Sequence, residues 1–112
     1  MRYMLLISAD EDVVATTEVP DGMDRFRAWI ADLRRRGVLQ VHEGLHPSAS
    51  ATTVRVRDGE VLLTDGPFSE AKDQVGGFAV VDVDDLDEAI AIAAAHPATG
   101  LGQIEIRPVR EG

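Results

Sequence analysis

Two short stretches of this 112-residue chain hold the side chains best suited to moving protons or holding a ligand. The first, His42-Glu43-Gly44-Leu45-His46, spells H-E-x-x-H. On a helix that string sets two imidazoles one turn apart on one face, with the glutamate beside a metal-bound water. A helix is not expected here, because Gly44 interrupts it and Pro47 drives His46 towards extended backbone. The five residues therefore read as strand end and loop, and no third ligand follows from the spacing. The sequence calls for no metal and no cofactor. His42 remains a candidate acid/base residue, with Glu43 and His46 as candidate binding residues.

The second stretch is Asp65-Gly66-Pro67-Phe68, with Lys72 close behind. Asp65 is the main catalytic candidate. It shares a strand face with Val61 and Leu63, so its carboxyl would meet the edge of an apolar pocket, where burial tunes such groups for general acid/base work. Gly66 permits close approach of a ligand, Phe68 offers a ring and Lys72 a cation. Each has a plainer alternative: Asp65 as the acceptor that caps its own turn, Phe68 as a core plug, Lys72 as a solvated loop residue. His96, next to a helix C-terminus, stands where a cation is stabilised. The serines lack a G-x-S-x-G elbow, and Gly76-Gly77 precedes a strand where a phosphate loop needs a helix.

The elements that position these residues follow from periodicity. Tyr3 to Ile7 reads as an apolar strand, followed by a polar loop to Pro20. Met23, Phe26, Ile30 and Leu33 fall at helical spacing over residues 21 to 36, with Asp21 as cap, Arg34-Arg35-Arg36 against the C-terminal dipole, and Gly37 closing. Phe26 and Trp29 read as helix–sheet packing residues. Val38 to Val41 is a second strand, with Glu43 on the Leu39/Val41 face. Two β-branched runs flank Asp58-Gly59, a type I′ turn that pairs Arg57 with Glu60, Val56 with Val61, Val54 with Leu63 and Thr52 with Asp65. Gly77 to Val83 is a further strand. Asp84 or Asp85 caps a helix with Leu86, Ala89, Ile90 and Ala93 as its buried stripe, and Ile104 to Arg107 forms the last strand.

The order β-α-β, hairpin, β-α-β is the split pattern of ferredoxin-like α+β domains: an antiparallel sheet with both helices on one side. Tyr3, Leu5 and Ile7 alternate with Met4 and Leu6, and Phe78 and Val80 with Ala79, Val81 and Val83, so both sheet faces are apolar. Two helices cover only one of them. A homodimer with its sheets face to face is the expected solution.

Composition bounds the rest. The length predicts one domain, residues 1–112. With 11 Lys+Arg against 20 Asp+Glu the net charge is −9, which disfavours nucleic acid as a partner. The absence of cysteine excludes thiolate chemistry and disulfides. No apolar run is long enough to cross a membrane, and Tyr3–Ile7 is too short for a secretory core before Asp10-Glu11-Asp12, so a cytoplasmic protein is expected.

Asp65-Gly66-Pro67-Phe68, followed by Glu70, Lys72, Gly76-Gly77-Phe78 and Val83-Asp84-Asp85-Leu86-Asp87-Glu88-Ala89, resembles the DGPF branch of the YCII-related proteins. So do Arg2-Tyr3-Met4-Leu5-Leu6, Glu43-Gly44-Leu45, Thr52-Thr53-Val54-Arg55 and Glu105-Ile106-Arg107-Pro108-Val109. The resemblance covers nearly the whole chain. It implies a ferredoxin-like subunit in a dimeric α/β barrel. Related YCII proteins have been suggested to be enzymes with a His–Asp pair in a cleft, and DGPF members are often encoded beside extracytoplasmic-function sigma factors. His42 and His46 stand where family members commonly carry other residues. Two functions follow as expectations: a dimeric small-molecule-binding protein with acid/base chemistry at Asp65, or a non-catalytic module that works with a sigma factor.

Overall fold

The computed structural model describes residues 1–111; residue 112, the last of the expected domain, lies outside them. Six strands and three helices alternate as β1 (Arg2–Asp10), α1 (Glu11–Thr16), α2 (Gly22–Arg35), β2 (Leu39–Gly44), β3 (Thr52–Arg57), β4 (Glu60–Asp65), β5 (Asp73–Asp82), α3 (Leu86–Ala94) and β6 (Gly102–Pro108). Four strands form one antiparallel sheet in the order β2-β5-β1-β6, and β3-β4 form a separate hairpin. The α+β class and the antiparallel sheet are as expected.

Tyr3 faces Val81 and Leu5 faces Ala79 on one side of the sheet. These four side chains are buried against Trp29, Ile30 and Leu33 of α2 and Ala89, Ile92 and Ala93 of α3. A second pair of rows, Met4 with Val80 and Leu6 with Phe78, occupies the other side, where neither long helix lies.

Several local features depart from expectation. Where a polar loop was expected, Asp10 accepts from the Asp12 N–H at 2.9 Å and starts α1. Asp21 takes the expected N-cap position of α2, but in the left-handed region at φ 56° and with no capping bond from its side chain, and Gly37 closes α2 at φ 71° as expected. Met23 is exposed. Asp85 caps α3 by accepting from the Glu88 N–H, while Glu88 accepts from the Asp84 N–H. The buried stripe of α3 is Ala89, Ile92 and Ala93, with Leu86 and Ile90 outside. Away from Asp87 and Glu88 its apolar arc is wider than the stripe it buries, so periodicity alone does not choose the inner face. β5 starts at Asp73, ahead of Gly76 and Gly77; a Cβ on Gly77 would stand 2.9 Å from the Glu43 carbonyl oxygen, so glycine lets β2 approach. Gln40 is an extra residue in β2: Leu39 pairs with Val81, but Val41 pairs with Val80. This bulge puts Leu39 on the helix side and Val41 and Glu43 on the open side, which corrects the shared face expected for them.

The hairpin has the expected register at all four predicted pairs. Asp58 and Gly59 both take positive φ, 52° and 79°, as a type I′ turn demands. Because the hairpin does not join the main sheet, a strained turn should act locally. Gly59→Val is expected to cost about 1 kcal/mol there. Hydrogen exchange at Arg55 and Leu62, the next hydrogen-bonded pair beyond the turn, should accelerate roughly fivefold, and unchanged exchange would show the turn to be misassigned.

Candidate functional site

Four rings meet between α2, β2 and the segment after α3. Phe26 and Trp29 project from α2, His42 from the helix side of β2, and His96 from the end of α3. Phe26 and His42 lie 5.0 Å apart, Trp29 and His96 4.6 Å apart edge to face, and the two imidazoles 6.5 Å apart. The Trp29 indole N–H donates to the Ile92 carbonyl at 2.9 Å and ties α2 to α3.

His96 is only 6% exposed. Its Nδ1 accepts from the Ala98 N–H at 2.9 Å, which assigns the proton of the neutral ring to Nε2. Nε2 is buried and has no conventional hydrogen-bond partner among the described residues. Burial pushes the His96 pKa down to about 4, with the neighbouring His42 adding to the shift. The expected helix-end cation is therefore a neutral core residue. Burial also lowers the pKa of His42; the charge of Glu43 opposes this and that of Arg34 adds to it.

The largest of three cavities, about 610 Å³, lies at the far end of the sheet. Ile7, Val14, Leu45, Pro47, Ala98 and Leu101 are among its apolar lining. Glu11 accepts from the Ser48 N–H at 2.8 Å and from its hydroxyl, which ties α1 to the short 3-10 turn Ser48–Ser50 across this cavity. Those bonds hold the Glu11 carboxyl below its ordinary pKa. His46 is on the lining as well. A second cavity of about 330 Å³ lies between α2 and β2 and includes His42; a third, about 340 Å³, borders Pro20 and Pro97.

The expected site residues are thus divided. His46 lines the large cavity and His42 the α2–β2 cleft. Glu43 is exposed on the open face of the sheet, opposite Phe78. Asp65, Gly66, Phe68 and Lys72 line none of the three cavities. Asp65 ends β4 opposite Thr52, exposed. Its turn is held by other groups: the Gly66 N–H donates to the Ala51 carbonyl at 2.7 Å, and the Thr53 hydroxyl to the Gly66 carbonyl at 2.8 Å. Phe68 is 78% exposed, with the Arg55 guanidinium 5.3 Å over its ring, so within this chain it plugs no core. Glu11, Ser48 and His96 were not singled out as site residues. The Asp10-Glu11-Asp12 run was the available signal for α1, and through it for Glu11.

The model of the YCII-related domain matches residues 1–111. An uncharacterised protein of Rhizobium meliloti, strain 1021, is 33% identical over 117 residues, covering 97% of this chain and 92% of the relative. The chain belongs to the YCII-related family. Among solved structures it is similar to the 5-chloro-2-hydroxyhydroquinone dehydrochlorinase of Burkholderia phenoliruptrix AC1100 in complex with 2,5-dihydroxybenzoquinone. That match has a TM-score of 0.58 at 16% identity and covers 100% of this chain and 96% of the other. At that identity the likeness is one of fold. No helix among the described residues is long and apolar enough to cross a membrane.

Proposed function

We propose that the protein is a cytoplasmic homodimer that binds an apolar, ring-sized small molecule in the cavity beside α1. The observation that carries this reading is the cavity itself: about 610 Å³, apolar over most of its wall, with His46 and the Glu11–Ser48 pair at hand to orient a ligand. A similar fold in the dehydrochlorinase is complexed with a quinone, a ligand of that size class.

The dimer has its own support. Val54, Val56, Val61 and Leu63 are each at least 60% exposed and form one continuous hairpin face. The radius of gyration is 15.9 Å and the shortest extent only 18 Å, whereas a compact chain of this length has a radius of about 13 Å. Exposed apolar hairpin and thinly covered sheet are two surfaces that a second copy shields together. Asp65 sits on the rim of that hairpin face. Its acid/base role belongs to the dimer, where covering the face would turn the rim into a cleft.

The test is titration with 2-naphthol, followed by its fluorescence, with the sedimenting mass measured on the same sample. Saturable binding to a species of twice 12.1 kDa is expected, and Ala15→Trp, which fills the cavity from exposed α1, should weaken it by about tenfold or more. Binding that ignores Ala15→Trp would remove the cavity from the reading. A 12.1 kDa monomer with the hairpin face bare would favour the second function, a module that docks on a sigma factor.

A further inference from the structure

The cleft between α2 and β2 has a chemistry unlike that of the large cavity. Arg27, Ala31 and Arg34 recur at four- and three-residue spacing and form one stripe of α2. The small Ala31 between the two arginines leaves the floor open. Phe26, Ile30 and His42 complete a wall around about 330 Å³.

Half of the chain's ten arginines, Arg25, Arg27, Arg34, Arg35 and Arg36, lie on α2 or at its C-terminal end. Their commitments differ. Arg35 and Arg36 both engage Asp32, and Arg36 also reaches Glu88 at 3.0 Å. Arg27 meets only Asp24, at 3.8 Å on an exposed surface, which is a weak pair. Arg34 has no carboxylate within ion-pairing distance among the described residues. In a chain of net charge −9, two cations free to turn into one aromatic-walled cleft are a local exception.

We propose that this cleft is a receptor for a small planar organic anion of the aromatic carboxylate class. The Arg34 fork takes the carboxylate, Arg27 flanks it, and Phe26 and His42 wall the ring. A guanidinium matches a carboxylate with two parallel N–H donors, a geometry that neutral or merely apolar ligands do not use. The aromatic wall then selects for flat ligands over small inorganic ions. This site is separate from the α1 cavity and does not rest on its function.

Benzoate is the probe, titrated into isotope-labelled protein while the Arg34 side-chain and His42 ring signals are followed by NMR. Saturable shifts at both residues are expected. Benzyl alcohol, which lacks the charge, and acetate, which lacks the ring, should each bind at least about tenfold more weakly. Arg34→Gln, an exposed change that leaves the core untouched, should weaken benzoate by about tenfold or more, while Ala15→Trp should leave it unchanged. Equal affinity for benzyl alcohol or acetate, indifference to Arg34→Gln, or shifts confined to Ile7, Leu45 and Leu101 would each overturn the proposal. Failure of the unaltered protein to bind 2-naphthol, with its benzoate binding intact, would defeat the α1 reading alone.

Discussion

Gly102→Ala is expected to destabilise the protein by about 3 kcal/mol, the upper part of the range for forced overpacking. Gly102 opens β6 and pairs with Ala9 of β1. A Cβ built there would stand 2.0 Å from the Ser8 carbonyl oxygen, 2.8 Å from the Ala9 Cβ and 2.9 Å from the Ala9 Cα. None of these atoms is the end of a flexible side chain, so relief requires β1 and β6 to part. β1 is a central strand and carries Tyr3 and Leu5 of the core, so the damage spreads inward. Gly100→Ala is the matched control. Nothing stands within 4 Å of its Cβ position, and a change within about 0.5 kcal/mol is expected. Chemical denaturation followed by Trp29 fluorescence measures both, and equal midpoints would refute the close approach.

Acidification should remove a comparable amount. His96 has a pKa of about 4 in the fold against an ordinary value of about 6.5 in the unfolded chain. The unfolded chain therefore binds the proton first. The neutral ring contributes its full stability above about pH 6.5, and this is lost as the pH falls towards about 4, below which the loss levels off. The difference is on the order of 3 kcal/mol. His42 is shifted in the same direction and adds to the loss. The groups around His96 are Phe26, Trp29, His42 and the Ala98 amide, and none of them offers a negative charge to an imidazolium. Glu43 and Arg34, beside His42, oppose one another. His96→Leu removes the titrating ring, and with it the cap on Ala98. Its unfolding free energy should start lower at neutral pH and depend less on pH between about 6.5 and 4.5. An undiminished slope in that variant would place the acid sensitivity elsewhere.

Legibility of the fold in the sequence varied with how local the deciding forces are. The hairpin register was readable because Asp58-Gly59 alone sets it. The two apolar rows of β1 and β5 were readable because pleating alternates side chains whatever the neighbours do. The inner face of α3 was not, since Leu86, Ala89, Ile90, Ile92 and Ala93 form an apolar arc wider than the face that is buried, and the choice within it falls to what they pack on. α1 was missed although Asp10 is a regular cap, because six residues carry too little periodicity to register. The candidate site was the least legible part. His46 gains its cavity from α1, from the end of β1 and from the turn before β6, segments far apart in the chain. His96, read as a surface cation, becomes a core ring only because Trp29 and Phe26 close over it.

The extra residue at Gln40 works as a phase shifter for everything downstream in β2. With it, an imidazole enters the aromatic nest and a carboxylate is turned out towards the open sheet. Regular pairing that took Gln40 into the ladder would exchange the two, turning the carboxylate in to the helix side of the sheet. A single backbone irregularity thus decides which proton-carrying group the interior must tolerate.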